Sequence, residues 1–162
     1  MSTLKNSAYK VQVVLDRFGL ELKVVELSKS TRTAMEASEA IGCELGQIAK
    51  TLIFKGCRSQ LPVCIIISGL GYIDETKLQD ILGEDIEKAD AAFVAEHTGY
   101  VIGGVPPVGH TTKIRTLIDG DILQYSTIWA AAGTPHAVFN LTPDNLVRIT
   151  QGNIVSISKT RR

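Results

Sequence analysis

The chain reads as an α+β domain with a mixed, mostly antiparallel sheet flanked by helices. Helical periodicity dominates the first half, where it alternates with strand-like runs, and the second half is a succession of short strands. A third observation is negative. Gly69 and Gly71 follow an apolar run as in a dinucleotide fingerprint, but Asp74 stands where G-x-G-x-x-G requires its last glycine, so a doubly wound nucleotide fold is disfavoured.

Ser7 can cap a first helix over residues 7–18, with Val11, Val14, Leu15 and Phe18 at helical spacing and Gly19 as its stop. Residues 20–27 alternate as a half-buried strand. Thr33 opens a second helix that ends at Ile41 and Gly42, and a helical turn follows over 44–49. Lys50 stands where that turn feeds a strand over 51–55. An intensely apolar partner covers 61–68, the two forming a hairpin with Gly56 in the turn. Asp74 caps a helix through Leu82, and residues 89–96 form another. Strands are expected over 118–123, 128–132 and 137–141. Thr142 and Pro143 start a last helix to about Thr150, because proline's missing N–H is unpaired at a helix start anyway. Residues 153–158 can close the sheet, and 159–162 form a basic tail expected to fray.

With 162 residues, 44% hydrophobic and 21% charged, the chain suits one domain spanning 1–162, without repeat or linker. The 17 basic and 17 acidic side chains cancel, so a nucleic-acid partner would have to be met by a local patch rather than by the field of the whole molecule. No apolar run approaches the roughly 18 residues that span a bilayer, and residues 1–7 carry no signal core. A cytoplasmic protein without membrane or DNA partners is expected. Cys43, Cys57 and Cys64 are odd in number and lack metal-ligand spacing, which fits reduced, partly buried thiols.

Familiar catalytic constellations are missing. Ser68 lacks the glycines of a nucleophile elbow, and His97, His110 and His136 show no metal spacing. Cys64 has apolar neighbours that would raise a thiol pKa. His97 and His110 read as surface residues. Three features remain: Lys50 in an apolar setting, the glycine and proline loop over 98–109, and His136 in a Gly-Thr-Pro-His turn. The loop sets Gly103 and Gly104 against Pro106 and Pro107. Glycine lets peptide N–H groups approach a ligand and proline stiffens the backbone, so the segment reads equally as an amide-lined ligand loop or as a tight connection.

Taken in order, the pieces are Ala49-Lys50-Thr51-Leu52-Ile53, Ser68-Gly69, Ile73-Asp74 with Lys77-Leu78, then Thr98 through Pro107, Ile118-Asp119, and Ile128-Trp129 with Gly133. This series resembles the YbaK-type deacylases, also called the prolyl-tRNA-synthetase-associated or INS editing domain, over about residues 8–158. The resemblance implies a partly barrel-like fold and a trans-editing factor that hydrolyses the ester between a wrong amino acid and tRNA. It implies aminoacyl-tRNA as partner, leaves room for a synthetase complex, and needs no metal or organic cofactor. It assigns Lys50 to the tRNA acceptor end and the backbone amides of Gly103 and Gly104 to the ester carbonyl, with Val105 and Pro106 beside them. It also marks His136 as a pocket histidine of the alanine-editing branches, a position at which the cysteine-specific branch departs.

No triad is needed, since aminoacyl esters are activated and positioned donors can stabilise the developing oxyanion. Synthetase pockets discriminate one methylene by only about 10–200-fold, so small misactivated amino acids such as Ala, Cys, Ser or Thr need a second site. Expected pocket walls are residues 31–35, Thr51, Leu52, Ser68, and 133–136 including Gly133. Lys50, Lys55, Arg58, Lys113 and Arg115 offer a basic stripe for the acceptor stem. The competing readings are a non-catalytic tRNA-binding or regulatory module of the same fold and a small-molecule esterase.

Overall fold

The computed structural model describes residues 4 and 6–160. Most of the expected N-terminal segment and the last two residues of the basic tail lie outside them. Five α-helices are described: α1 (Asn6–Asp16), α2 (Ala34–Ile41), α3 (Glu75–Leu82), α4 (Ala91–Thr98) and α5 (Pro143–Thr150). The strands are β1 (Val24–Glu26), β2 (Ile48–Gly56), β3 (Pro62–Ser68), β4 (Gly71–Ile73), β5 (Ile86–Lys88), β6 (Arg115–Asp119), β7 (Ile128–Ala131), β8 (Ala137–Leu141), β9 (Asn153–Val155) and β10 (Ser158–Thr160). The main sheet runs β1-β8-β7-β2-β3-β6-β9, with β5 also on β2, and β10 pairs with β4 apart from it. Four of the main sheet's seven pairings are antiparallel, so that sheet is mixed and mostly antiparallel.

Local chemistry starts most helices where the sequence places them. Thr33, Asp74 and Thr142 each accept the N–H of the residue three further on, satisfying one of the unpaired donors of a first turn. Asp90 does the same for α4, which begins two residues later than expected. The first helix stops at Asp16 rather than Phe18, and Phe18 lies exposed beyond it. The strand expected over 20–27 shrinks to Val24–Glu26. Glu21 has φ of 56°, outside strand geometry, and the Gln12 side chain grips both flanks of the turn. Gln12 donates to the Leu22 carbonyl at 2.8 Å and accepts from the Val24 N–H at 2.7 Å.

Strand β3 is the spine. Cys64 and Ile66 enter a core that also holds Leu15, Phe139 and Leu146, while Val63 and Ile65 enter a second core with Phe54, Leu78 and Leu117. A strand buried on both faces must be apolar throughout, which is why residues 61–68 lack alternation. In β2, Ala49 and Ile53 join the first core and Phe54 the second.

Several expectations are corrected here. The hairpin's first strand begins at Ile48, so Lys50 is its third residue and lies inside the strand. The strand expected over 118–123 is β6, ending at Asp119, and residues 120–124 form a 3-10 turn. Strands β4, β5 and β10 were not anticipated. Lys159 lies in β10, opposite Tyr72, so that part of the tail is paired rather than frayed.

Asp119 explains how this corner holds. It is 1% exposed and accepts from the Ile157 N–H at 2.9 Å, the Ser158 N–H at 3.0 Å and the Asp121 N–H at 3.1 Å. Asp119→Ala strands three N–H donors and is expected to cost roughly 2–4 kcal/mol in denaturant unfolding. A loss below about 1 kcal/mol would mean that water replaces the carboxylate.

Candidate functional site

Side chains alternate along β2, so Lys50 lies on the face of Phe54, and Thr51 on that of Ala49 and Ile53. The half-buried Lys50 donates from Nζ to the Gly71 carbonyl at 3.0 Å, with Nζ 5.7 Å from the centroid of the Tyr72 ring. Both partners belong to β4, which β10 holds in register. The ammonium is therefore anchored on one side of the strand by a carbonyl dipole and an aromatic face.

The glycine and proline loop is pinned at its base and braced within. The Thr111 N–H donates to the Thr98 carbonyl and the Thr112 N–H to that of His97, both at 3.1 Å. His110 Nε2 lies 2.7 Å from the Pro106 carbonyl oxygen. Burial pushes the His110 pKa below its ordinary value, so the ring is neutral and the proton on Nε2 is the one that can donate to this carbonyl. His110 is thus a strut of the loop and not the surface residue expected.

The two loop glycines differ. Gly103 has φ of 94° and borders a cavity over β2, and a Cβ there would lie 2.6 Å from Arg32 Cγ. Gly104 faces the body of the protein, where a Cβ would meet the Thr134 backbone at 2.9 Å. The Gly104 N–H donates to the Val101 carbonyl at 3.0 Å, and its carbonyl accepts from the Gly133 N–H at 2.8 Å. The amide of Gly104 is therefore committed to the loop's own turn, against the expectation that it meets a ligand carbonyl.

A cavity of about 390 Å³ opens over β2, and an adjoining one of about 190 Å³ lies toward β5. Lys50 lines the larger, while Thr51, Leu52, Gly103 and Val105 line both. Residues 31–35 all border the larger cavity as expected. The remaining expected positions border neither. Ser68 is buried and donates from Oγ to the Gly46 carbonyl at 2.7 Å. Pro106 is held by His110, and Gly133 by Gly104. His136 is exposed, with Nδ1 3.1 Å from the Lys29 carbonyl oxygen. Its backbone carbonyl accepts from the Leu27 N–H at 2.7 Å, so the histidine supports the segment leading to Thr31 instead of facing the cavity.

The basic stripe also separates. Lys55 pairs with Glu87 at 3.8 Å, and Arg58 reaches the Gly83 carbonyl at 3.3 Å. The cations that border the cavities are Lys50, Arg32 and Lys88. Tyr72 and Trp129 are walls that residue-by-residue reading did not single out. Trp129 carried a signal: it sits between the buried Ile128 and Ala130, so its ring points away from the core they enter.

No carboxylate, histidine, cysteine or serine is among the described residues lining the larger cavity. Cys64 is fully buried and its thiol is pushed up to about 12 by burial, so it offers no thiolate near neutrality. Among the described residues no group of three or more His, Cys, Asp or Glu could hold a metal ion, and no helix is long and apolar enough to cross a membrane. The walls of the larger cavity can supply backbone dipoles, hydroxyls, two cations and apolar surface.

The profile of the aminoacyl-tRNA editing domain matches residues 28–149. The chain belongs to that family. A relative in Bacillus subtilis, the uncharacterized protein YwhH, is 31% identical over 86% of this chain and 88% of its own. EbsC of Enterococcus faecalis, named as a candidate Cys-tRNA(Pro)/Cys-tRNA(Cys) deacylase, is 30% identical over 81% of this chain and 80% of its own. The crystal structure of a candidate trans-editing enzyme for prolyl-tRNA synthetase superposes with a TM-score of 0.91 at 42% identity, covering 97% of this chain and 99% of that one. The editing-domain match takes in Lys50, both loop glycines and the β7–β8 turn.

For this editing domain the depressed pKa of His110 sets a pH dependence. The unfolded histidine takes up a proton near its ordinary pKa of 6.5 and the folded one only at lower pH, so protons favour unfolding. The His110 contribution is complete above about pH 6.5 and is lost as pH falls through the folded value. Melting temperature is expected to drop between pH 7.5 and pH 5, with a smaller drop in His110→Gln. An equal drop in the variant would assign the effect to other groups.

Proposed function

We propose that residues 1–162 act as one YbaK-like editing unit, a hydrolase that deacylates mischarged aminoacyl-tRNA in trans in the cytoplasm. One observation carries the mechanistic reading: Lys50 and Gly103 border the same cavity although they lie on different elements. The family match and the deacylase and trans-editing names of the relatives support the reaction class.

The substrate is a tRNA carrying a small wrong amino acid such as Ala, Cys, Ser or Thr. The smaller cavity, of about 190 Å³ and bounded by Leu52, Ile53, Val94 and Val105, suits a short side chain. A larger cavity of about 390 Å³ is within the range of small-ligand sites and can take the terminal nucleoside, with Tyr72 and Trp129 as flat surfaces. Lys50 then supplies positive charge to ribose or phosphate, held in place by Gly71 and Tyr72.

With no carboxylate, histidine, cysteine or serine among the described residues lining the larger cavity, rate enhancement comes from holding an already activated ester against preorganised donors. Gly103 brings bare backbone to the cavity at a φ that other residues adopt only with strain. The attacking oxygen comes from water or from the substrate itself. Val105 and Pro106 keep the loop's shape.

Deacylation assays with Ala-, Cys-, Ser- and Thr-charged tRNA test the reading. Hydrolysis of at least one is expected, and tRNA binding without any hydrolysis would support the binding-module reading instead. Lys50→Ala is expected to lower kcat/KM about 100-fold or more while changing stability by less than about 1 kcal/mol, because the half-buried side chain gives up a charge and its hydrogen bond to the Gly71 carbonyl. Undiminished activity would remove Lys50 from the mechanism. Gly103→Val is expected to abolish turnover and to destabilise by roughly 1–3 kcal/mol, since a branched residue is forced to positive φ. A stable, active variant would place the ester elsewhere.

A further inference from the structure

Backbone N–H and C=O groups of a strand residue point to one edge, and those of its neighbour to the other. In β2 the even-numbered residues face β3: the Gly69 N–H donates to the Ile48 carbonyl at 2.7 Å, and the Gly56 N–H to the Leu61 carbonyl at 3.0 Å. The odd-numbered residues face the opposite edge, where the Ala89 N–H donates to the Ile53 carbonyl at 3.2 Å. Two strands share that edge. The β7 register covers Ile48 and Ala49 and stops there, and the β5 register covers only Phe54 to Gly56. Thr51 falls between them, so neither ladder reaches its N–H and C=O. Its hydroxyl is also buried and has no hydrogen-bond partner among the described residues.

This notch lies at the junction of the two cavities, both of which Thr51, Gly103 and Val105 border. A strand edge one residue long is complementary to a single amino acid, whose nitrogen and carbonyl stand as they would in a neighbouring strand. An aminoacyl ester carries an ammonium, with three donors and no acceptor, beside its carbonyl. No carboxylate borders the larger cavity, so backbone carbonyls and hydroxyls are the acceptors available.

We infer that the Thr51 backbone receives the aminoacyl group in this notch, its carbonyl accepting from the α-ammonium and its N–H donating to the ester carbonyl. The inference rests on the deacylase reading above and adds a selection rule. A chain continuing past the amino nitrogen would run along β2 into space already filled by the ends of β7 or β5. Esters with a free α-amino group are therefore accepted, and N-acylated ones, such as peptidyl esters, are refused.

The test uses the fastest substrate among the alanyl, cysteinyl, seryl and threonyl esters of tRNA, its N-acetyl derivative and its 2-hydroxy acid counterpart. Each rate is divided by that of spontaneous hydrolysis, because the ammonium itself activates the ester. Relative to the free aminoacyl ester, the enhancement is expected to fall roughly 10–100-fold for the hydroxy ester, which loses a charge-assisted hydrogen bond, and more for the N-acetyl ester. N-acetyl ester enhancement within about threefold of the parent overturns the inference while leaving the deacylase reading intact. Failure to hydrolyse any free aminoacyl ester overturns both. Thr51→Val keeps the backbone and removes the hydroxyl, so the ratio of free to acetylated rates persists whatever the absolute rate. Collapse of that ratio would assign the ammonium to the hydroxyl and overturn the backbone assignment.

Discussion

Everything in the candidate site depends on one strand having more edge than its neighbours cover. β2 is nine residues long and pairs with β3 through seven of them, from Ala49 to Lys55, so its position is fixed by a continuous ladder and by burial of β3 on both faces. On its other edge β7 arrives parallel at one end and β5 antiparallel at the other. The opening between them is held by two independent strand pairings. Such an opening stays in place without side chains to prop it.

The loop over 98–111 completes that opening from outside. Its base is closed by two backbone hydrogen bonds, its middle is tied to Gly133 through Gly104, and His110 braces Pro106. The two adjacent glycines divide the work: Gly104 permits close packing on the Thr134 backbone, and Gly103 permits the backbone to turn at the cavity. The oxyanion-type stabilisation proposed for this loop requires donors that do not reorganise during reaction, which a loop restrained on both sides would provide.

Legibility followed the range of the interactions involved. Helix starts at Thr33, Asp74 and Thr142 were readable because a cap needs only its own hydroxyl or carboxylate and an N–H three residues on. The β2–β3 hairpin was readable for the same reason. Strands β4, β5 and β10 are three residues each and carry almost no pattern, existing because distant partners pair with them. Lys50, Thr51, Leu52, Gly103 and Val105 were readable as candidate site residues through the ordered resemblance to known deacylases, and they border the cavities. Ser68 was in the same series, and His136 was marked beside it as a pocket histidine, yet neither borders the cavities, because a motif records that a position matters and not which way its side chain faces.

The chain alone establishes an α+β fold, the apolar spine, the capped helices and the family, since periodicity, capping and motif order are properties of neighbouring residues. Tertiary packing alone establishes which edge of β2 stays open, which loop glycine borders the cavity, and that His110 braces the loop while His136 faces away from the cavity. Those outcomes turn on partners brought from distant parts of the chain, such as Trp129 beside Ile48 and Ala89 beside Ile53. A backbone group looks the same in sequence whether its partner is a strand, a loop or a substrate.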